Sequence, residues 1–152
     1  MDSNKKEKRY IRIITQIEEL IKKTSDPLAR MSTIIAILHH KFNYFFWTGF
    51  YRLVDEELTV CCYQRSVACL VLEKQKGVCW AAINKKKTLV IPNVKKFPGH
   101  IACDSRSASE IVIPVWCDDK IVAVLDVDSK DLNSFDNIDA KYLEQIAKKI
   151  YG

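Results

Sequence analysis

The chain has little glycine and proline and lacks any long apolar run. Only 4 glycines and 4 prolines occur in 152 residues, which excludes collagen-like and linker-like chains. The longest apolar stretches are a few residues long, far short of the ~20 that a membrane-spanning helix needs. Residues 1–8 are not followed by the apolar core of a signal peptide. We therefore expect a cytoplasmic protein that has no membrane partner.

The cysteines lack the spacing of a zinc ribbon or a thioredoxin-type redox loop. The chain has 6 cysteines, but no two are separated by two residues. In a reducing compartment, free thiols are expected rather than structural disulfides. With 48% hydrophobic and 28% charged residues, the chain is long enough to bury a core without such crosslinks. We expect a single domain over residues 1–152.

Positive charge is modest and concentrated in one segment. The 24 basic and 19 acidic residues leave a net charge of +5, which does not by itself support nucleic-acid binding. The segment 84–96 contains lysines and no acid: Lys85, Lys86, Lys87, Lys95 and Lys96. No aromatic residue interleaves with them, so we favour a solvated loop surface over a phosphate-binding patch. We expect no nucleic-acid partner.

Apolar residues at helical spacing mark both ends of the chain. Residues 1–41 predict two helices, of which the first ends near Thr24 and the second begins at Asp26, a capping residue followed by Pro27. A last helix begins after Asp136. The predicted buried positions of these helices are Ile14, Ile17, Leu20, Ile21, Leu28, Met31, Ile34, Ile35, Leu38, Ile138, Tyr142, Leu143, Ile146 and Ile150.

The rest of residues 42–152 has the pattern of β-hairpins. Aromatic and β-branched residues at 44–54 and 58–63 flank an acidic turn, and strands at 110–116 and 120–128 flank a second turn. Between the hairpins, Gly77 begins a short helix and Pro92 ends a short strand. These elements predict an α+β fold with a central, mainly antiparallel sheet and the N- and C-terminal helices packed on it.

Three cysteines, Cys69, Cys79 and Cys103, lie outside the strand patterns. Cys103 follows a Pro-Gly loop and a nearby histidine, His100, a setting that favours a reactive thiolate at least as much as a buried thiol. A tetrahedral metal site would have to draw these residues from distant segments, so we expect no metal. The cysteines in or beside strands are expected to be small buried hydrophobes: Cys61, Cys62 and Cys117.

Three carboxylates occupy strand positions where charge is disfavoured. Asp126 and Asp128 share one strand face, and Glu110 begins the strand that pairs with theirs. Counting from a turn centre near Asp118, we predict that Glu110 faces Asp126. Three neighbouring carboxylates cannot all stay ionised cheaply, so one should hold a proton. The alternative is a strand that simply emerges into solvent at Asp126.

An aromatic pair on the first predicted strand shares one face. Trp47 and Tyr51 lie four residues apart, and such pairs are commonly part of a core. Because both side chains also carry a polar group, they could equally form the wall of a pocket.

Together these features resemble the free methionine-R-sulfoxide reductases, which are single GAF-type domains. The resemblance is carried by the spacing of the three cysteines and by WTGFY at 47–51, GVC at 77–79, FPGHIACD at 97–104, SEIVIP at 109–114 and LDVDS at 125–129. The chain departs from the family pattern before the first cysteine, where Ser66 and Val67 replace a Lys-Pro pair. The resemblance covers most of the chain.

The resemblance implies a thiol mechanism for reducing free L-methionine-R-sulfoxide. The Cys103 thiolate would attack the sulfoxide sulfur and become a sulfenic acid. Cys79 would be the resolving thiol, with Cys69 as a possible relay, and thioredoxin would restore the dithiol. The resemblance implies no other cofactor and suggests a homodimer.

The resemblance also assigns roles to the remaining candidates. Glu110 and Asp128 would bind and protonate the sulfoxide, and Asp126 would tune their pKa values or hold the substrate ammonium. Trp47 and Tyr51 would enclose the S-methyl group. Two other functions stay open, namely a non-catalytic GAF-type module that binds a small ligand and a thiol-based redox sensor without turnover.

Overall fold

The computed structural model describes residues 1–100 and 103–152, and four α-helices and five strands lie in that part of the chain. In chain order they are α1 Ser3–Ile21, α2 Pro27–Lys41, β1 Trp47–Val54, β2 Glu57–Gln64, α3 Gly77–Lys85, β3 Leu89–Ile91, β4 Ser109–Cys117, β5 Lys120–Ser129 and α4 Asn137–Ala147. Among the described helices, none has the length and apolar character needed to traverse a bilayer.

The predicted helix starts are confirmed by their caps. The Asp26 side chain accepts from the Ala29 amide, with Pro27 in the first turn of α2. Asp136 caps α4 through the amides of Ile138 and Asp139. Helix α1 ends at Ile21, three residues before the predicted end near Thr24.

Arg30 of α2 binds carbonyl oxygens at and just after the end of α1. Arg30 donates from its guanidinium to the carbonyl oxygens of Ile21 and Thr24, at 3.1 and 2.8 Å. The Ile21 carbonyl also accepts from the Thr24 amide, at 3.4 Å, so these bonds together close the end of α1. Leu20 and Leu28, predicted to be buried, are 42% and 46% exposed, because they lie in the two helix turns that flank this connection.

The five strands form one antiparallel sheet in the order β2-β1-β5-β4-β3. Helices α1, α2 and α4 supply the apolar core on one face, packed on inward residues such as Phe50, Ile113 and Leu125. Helix α3 packs on the other face against β4 and β5. The predicted α+β architecture, with the terminal helices on a central antiparallel sheet, is therefore confirmed.

The register of β4 and β5 differs from the predicted one. Glu110 lies opposite Asp128, whereas the sequence count placed it opposite Asp126. The turn is centred between Asp118 and Asp119, and a bulge between Val115 and Trp116 shifts the strands by one further residue. Since the total shift is two residues, all three carboxylates keep the same face.

One buried carboxylate joins α1, α4 and the segment before β1. Asp139 is fully buried and accepts from Lys6 Nζ at 2.8 Å and from the hydroxyls of Tyr10 and Tyr44 at 2.7 Å each. The backbone amide of Asp136 is its fourth donor, at 2.9 Å. Because every donor satisfies the buried charge, this network stabilises the packing of the two ends of the chain.

We expect Asp139→Ala to lower the free energy of unfolding by about 3–5 kcal/mol, because it leaves the buried Lys6 ammonium without its closest counter-charge. Urea denaturation measures the change. Glu144→Ala, at an exposed position of the same helix, is the control and should change stability by less than about 0.5 kcal/mol. A loss below about 1 kcal/mol for Asp139→Ala would contradict the role of the network.

Candidate active site

A small cavity of about 50 Å³ lies between the α3 face of the sheet and the loops that follow β2 and precede β4. Seven of the eight candidate residues line it: Trp47, Tyr51, Cys79, Cys103, Glu110, Asp126 and Asp128. The eighth, Cys69, is bonded to Cys103. Residues 101 and 102 of the predicted FPGHIACD motif lie outside the described residues.

The strand register brings the candidates together in rows across the sheet. Trp47 on β1, Asp128 on β5 and Glu110 on β4 form one row of directly opposite residues. Gly49 and Asp126 are opposite each other in the next row. Because side chains alternate between faces with a period of two, all of these positions face the cavity.

Gly49 provides the space in which the indole of Trp47 lies. A Cβ atom at this position would lie 2.6 Å from the Tyr63 Cβ and would also overlap the Trp47 ring. The indole stacks against the rings of Tyr51 and Tyr63, with centroids 5.9 and 5.4 Å away. Glycine at 49 therefore allows the aromatic wall to lie flat on the sheet.

Cys79 reaches the same spot from the first turn of α3. Its sulfur and one carboxylate oxygen each of Glu110 and Asp126 lie within 4.8 Å of one another. All three residues are buried, and the Cys79 and Glu110 side chains partly offset the effect of burial on the pKa of Asp126. The Oδ1 atom of Asp126 has no partner among the described residues. The three side chains therefore form a close, buried group with one unpartnered acceptor.

Burial makes this cluster retain protons. Loss of solvation, followed by the charges of Asp126 and Asp128, holds the pKa of Glu110 well above its usual range. Burial likewise raises the pKa values of Asp126 and Asp128. The pKa of the Cys79 thiol is also raised well above its usual value, first by burial and then by Asp126. These shifts favour the protonated forms of the acids, and a protonated acid can donate a proton.

The disulfide of the structure joins Cys69 to Cys103, with their Cα atoms 5.8 Å apart. Cys103 is exposed and Cys69 is half-buried, so the bond lies where the cavity meets the surface. The resemblance favoured Cys79 as the first partner of Cys103, and the structure instead pairs Cys69. Cys79 is buried, and burial followed by the charge of Asp126 raises the pKa of its thiol, which disfavours the reactive thiolate.

Two cavity residues that the sequence did not single out hold the two disulfide loops together. The Ser66 hydroxyl donates to Asp104 at 2.7 Å, and the Trp47 indole N–H donates to the Ser66 carbonyl at 3.0 Å. Hydrogen bonds from Arg106 and Ser66 lower the pKa of Asp104, which stays ionised. Asp104 directly follows Cys103, and that adjacency was the only signal that could have identified it.

The alternative metal site weighed from the sequence does not assemble. Cys69 and Cys103 are bonded to each other, and His100 does not belong to the close group of Cys79, Glu110 and Asp126. The other three cysteines, Cys61, Cys62 and Cys117, are half-buried rather than fully buried as predicted.

Because burial raises the pKa of Glu110, we expect Glu110→Gln to stabilise the folded protein at neutral pH. Between the pKa of Glu110 in the unfolded state and its raised pKa in the folded state, unfolding releases the Glu110 proton. The stability of the wild type therefore falls as pH rises through this window. Glutamine keeps a hydrogen-bond donor and releases no proton. The gain should be about 1 kcal/mol or more at neutral pH and should vanish near pH ~4.

Urea denaturation at the two pH values measures this difference. Glu57→Gln, at an exposed glutamate on β2, is the control and should give no pH-dependent gain. A destabilised Glu110→Gln protein at neutral pH would mean that the carboxylate is ionised and needed for stability.

Comparisons with known proteins agree with this geometry. Residues 29–150 match the family model of the GAF domain. GAF domain-containing protein A of Dictyostelium discoideum is 47% identical over 144 residues, which cover 94% of this chain and 90% of that protein.

Two further relatives carry a more specific name. The free methionine-R-sulfoxide reductase of Escherichia coli is 35% identical over 123 residues, covering 81% of this chain and 74% of that protein. The crystal structure of free methionine-R-sulfoxide reductase from Neisseria meningitidis, in complex with its substrate, has a TM-score of 0.89 at 38% identity, covering 93% of this chain and 86% of that one. The chain therefore belongs to the GAF-domain family of free methionine-R-sulfoxide reductases, which are thiol oxidoreductases.

Proposed function

We propose that the protein reduces free L-methionine-R-sulfoxide to methionine. The observation that carries this proposal is the position of Cys103, at the mouth of a cavity that is also lined by carboxyls whose pKa values are raised by burial. Reduction of a sulfoxide needs both a thiolate and an acid, because a nucleophile must attack the sulfur while the oxygen receives a proton. The substrate-bound relative from Neisseria meningitidis supports the choice of substrate.

In the first step the Cys103 thiolate attacks the sulfoxide sulfur while Glu110 or Asp128 donates a proton to the sulfoxide oxygen. The oxygen passes to Cys103, which becomes a sulfenic acid, and methionine leaves with the electron pair on its sulfur. One sulfur is oxidised and the other reduced, so the electrons balance. The raised pKa values of the two carboxyls support this role, because an ionised acid could not donate.

In the second step the Cys69 thiol attacks the sulfenic sulfur of Cys103. The S–O bond breaks, the oxygen leaves as water after taking a proton, and the product is the Cys69–Cys103 disulfide. Cys69 suits this step because its loop already lies against the Cys103 loop through Ser66 and Asp104. Cys79 remains a neutral thiol within the substrate cavity.

The zwitterionic backbone and the methyl group of the substrate fit different parts of the cavity. Asp126 offers the unpartnered Oδ1 atom to the substrate ammonium, and Trp47 and Tyr51 enclose the S-methyl group. A buried acceptor for a free ammonium disfavours peptide-bound methionine sulfoxide, whose nitrogen is an amide. This arrangement explains selectivity for the free amino acid.

Thioredoxin would supply the electrons that restore the dithiol, and no metal or organic cofactor takes part. The exposure of Cys103 supports this route, because a protein thiol must reach the disulfide from the surface. A cytoplasmic homodimer completes the proposal.

We expect turnover of the free R epimer, with thioredoxin, thioredoxin reductase and NADPH, and none of the S epimer or of a peptide-bound sulfoxide. Cys103→Ser should abolish turnover, and Glu110→Gln should lower kcat by about 10²–10⁴-fold because it removes a proton donor. Oxidation of NADPH measures the rates, and Cys61→Ser, at a half-buried cysteine outside the cavity, should retain wild-type activity. Thiol oxidation without turnover of any sulfoxide would favour a redox sensor.

Removal of the Ser66 hydroxyl should weaken the Cys69–Cys103 disulfide. The Ser66–Asp104 hydrogen bond and the disulfide hold the same two loops together, so each favours the other. Ser66→Ala should shift the disulfide–dithiol equilibrium in glutathione buffers toward the dithiol by about fivefold. Ser105→Ala, at an exposed serine in the loop of Cys103 and Asp104, is the control. Equal equilibria in the two variants would contradict the positioning role of Ser66.

A further inference from the structure

Three basic side chains converge on one aromatic ring close to the disulfide. The guanidinium carbons of Arg65 and Arg106 lie 5.2 and 4.8 Å from the centroid of the Phe46 ring, and Lys130 Nζ lies 5.1 Å from it. Phe46 is only 4% exposed, whereas the three basic residues are exposed. The negative face of an aromatic ring attracts cations, which holds these like charges near one another.

The three charges come from three different loops, and we call their cluster the rim. Arg65 follows β2 and directly precedes Ser66. Arg106 binds Asp104, the neighbour of Cys103, through an ion pair of 2.7 Å. Lys130 directly follows β5, two residues after Asp128. Two members of the basic cluster line a groove beside Phe46, and Ser66 and Asp104 link the cluster to the loops that carry the Cys69–Cys103 bond.

Little negative charge balances this cluster. Asp104 pairs with Arg106, and Asp131 lines the groove beside Phe46. Over residues 1–100 and 103–152, neither Arg65 nor Lys130 forms an ion pair. The surface beside the disulfide therefore keeps a net positive charge that is available to a partner.

The backbone of Arg65 adopts a conformation that a residue with a side chain rarely takes. Its φ is +98°, in the region that favours glycine. Such a conformation persists only where the surrounding structure enforces it, and it is frequent at functional sites. Here the contact with Phe46 and the neighbouring bond of Ser66 to Asp104 keep the arginine at the rim.

We propose that Arg65, Arg106 and Lys130, arranged over Phe46, form the docking surface for the protein that reduces the Cys69–Cys103 disulfide. Charge complementarity assigns the partner as a dithiol protein with an acidic surface around its reactive cysteines. The proposal rests on the proposed function, because it concerns the reductive half of that cycle. It adds the residues that recruit the reductant.

The docked reductant restores two thiols by thiol–disulfide exchange. A partner thiolate attacks one sulfur of the Cys69–Cys103 bond, the bond breaks, and the displaced thiolate takes up a proton. The second partner thiol then attacks the mixed disulfide and gives its proton to the second cysteine that leaves. The partner ends as a disulfide, so two electrons and two protons have moved to this chain.

The test compares two double variants with the same change of charge. Arg65→Glu/Lys130→Glu reverses two charges at the rim, and Lys86→Glu/Lys95→Glu reverses two exposed lysines of the segment 84–96. The oxidised proteins are mixed with reduced, acidic thioredoxin or with dithiothreitol, and the appearance of free thiols is followed. We expect the rim variant to lower the second-order rate constant with thioredoxin by about tenfold or more.

The controls separate docking from other effects. Dithiothreitol should reduce both variants within about twofold of the wild-type rate, since a small neutral reductant gains nothing from charge steering. The control variant should lose less than about twofold with thioredoxin, and added salt should slow the wild type more than the rim variant.

Other outcomes would overturn the proposal. Equal losses in both variants would assign the effect to net charge, and a loss with dithiothreitol would assign it to damage at the disulfide. An unchanged thioredoxin rate in the rim variant would exclude docking there. Slower thioredoxin reduction of the wild type in phosphate than in chloride at equal ionic strength, without this difference in the rim variant, would assign the cluster to a small anion.

The result does not depend on sulfoxide turnover, because reduction of the disulfide is followed directly. Failure of the proposed function would appear separately, as an absence of methionine sulfoxide reduction when dithiothreitol is the electron donor.

Discussion

The organisation of the site depends on the removal of three carboxyl groups from water without a paired cation. Glu110, Asp126 and Asp128 form no ion pair with a described lysine or arginine. Burial alone would cost several kcal/mol per ionised group, so the cluster keeps protons instead. The same removal of water raises the pKa of Cys79. The raised pKa values of these acids are therefore a consequence of where β4 and β5 place the side chains.

Asp139 demonstrates that burial does not by itself produce such a site. It is at least as buried as Glu110, yet an ammonium, two hydroxyls and an amide satisfy it. One carboxylate therefore stabilises the packing of helices, whereas the unsatisfied cluster on the opposite face of the sheet is available for a substrate. One face of the sheet carries the packed helices α1, α2 and α4, and the other carries the candidate active site.

Local sequence patterns predicted the elements and the faces of their residues. Caps at Asp26 and Asp136 and the two-residue period of the strands depend only on neighbours in the chain, which is why these expectations were confirmed. The two-residue period also kept Glu110 on the correct face although its partner was wrong. A bulge inserts one residue without a sequence signal, so no count from the turn could have given the exact register.

The contacts between loops were beyond such patterns. Ser66, Asp104 and the basic residues around Phe46 come from separate segments whose spacing has no period. These residues meet because the loops after β2, before β4 and after β5 lie next to one another. Only the assembled sheet defines that arrangement. The pairing of Cys69 with Cys103 belongs to the same class of contact.

In the proposed cycle, Cys69 suits the resolving role better than Cys79 does. A thiol that resolves a sulfenic acid must form a disulfide that an external protein can reach. A disulfide of Cys79 would not be accessible in this way, because its sulfur lies beside Asp126 and Glu110 at the floor of the cavity. Cys69 forms the bond at the mouth, beside the positive rim. In that cycle the disulfide would form where a protein thiol can reach it, while Cys79 and the acids would stay in place for the next substrate.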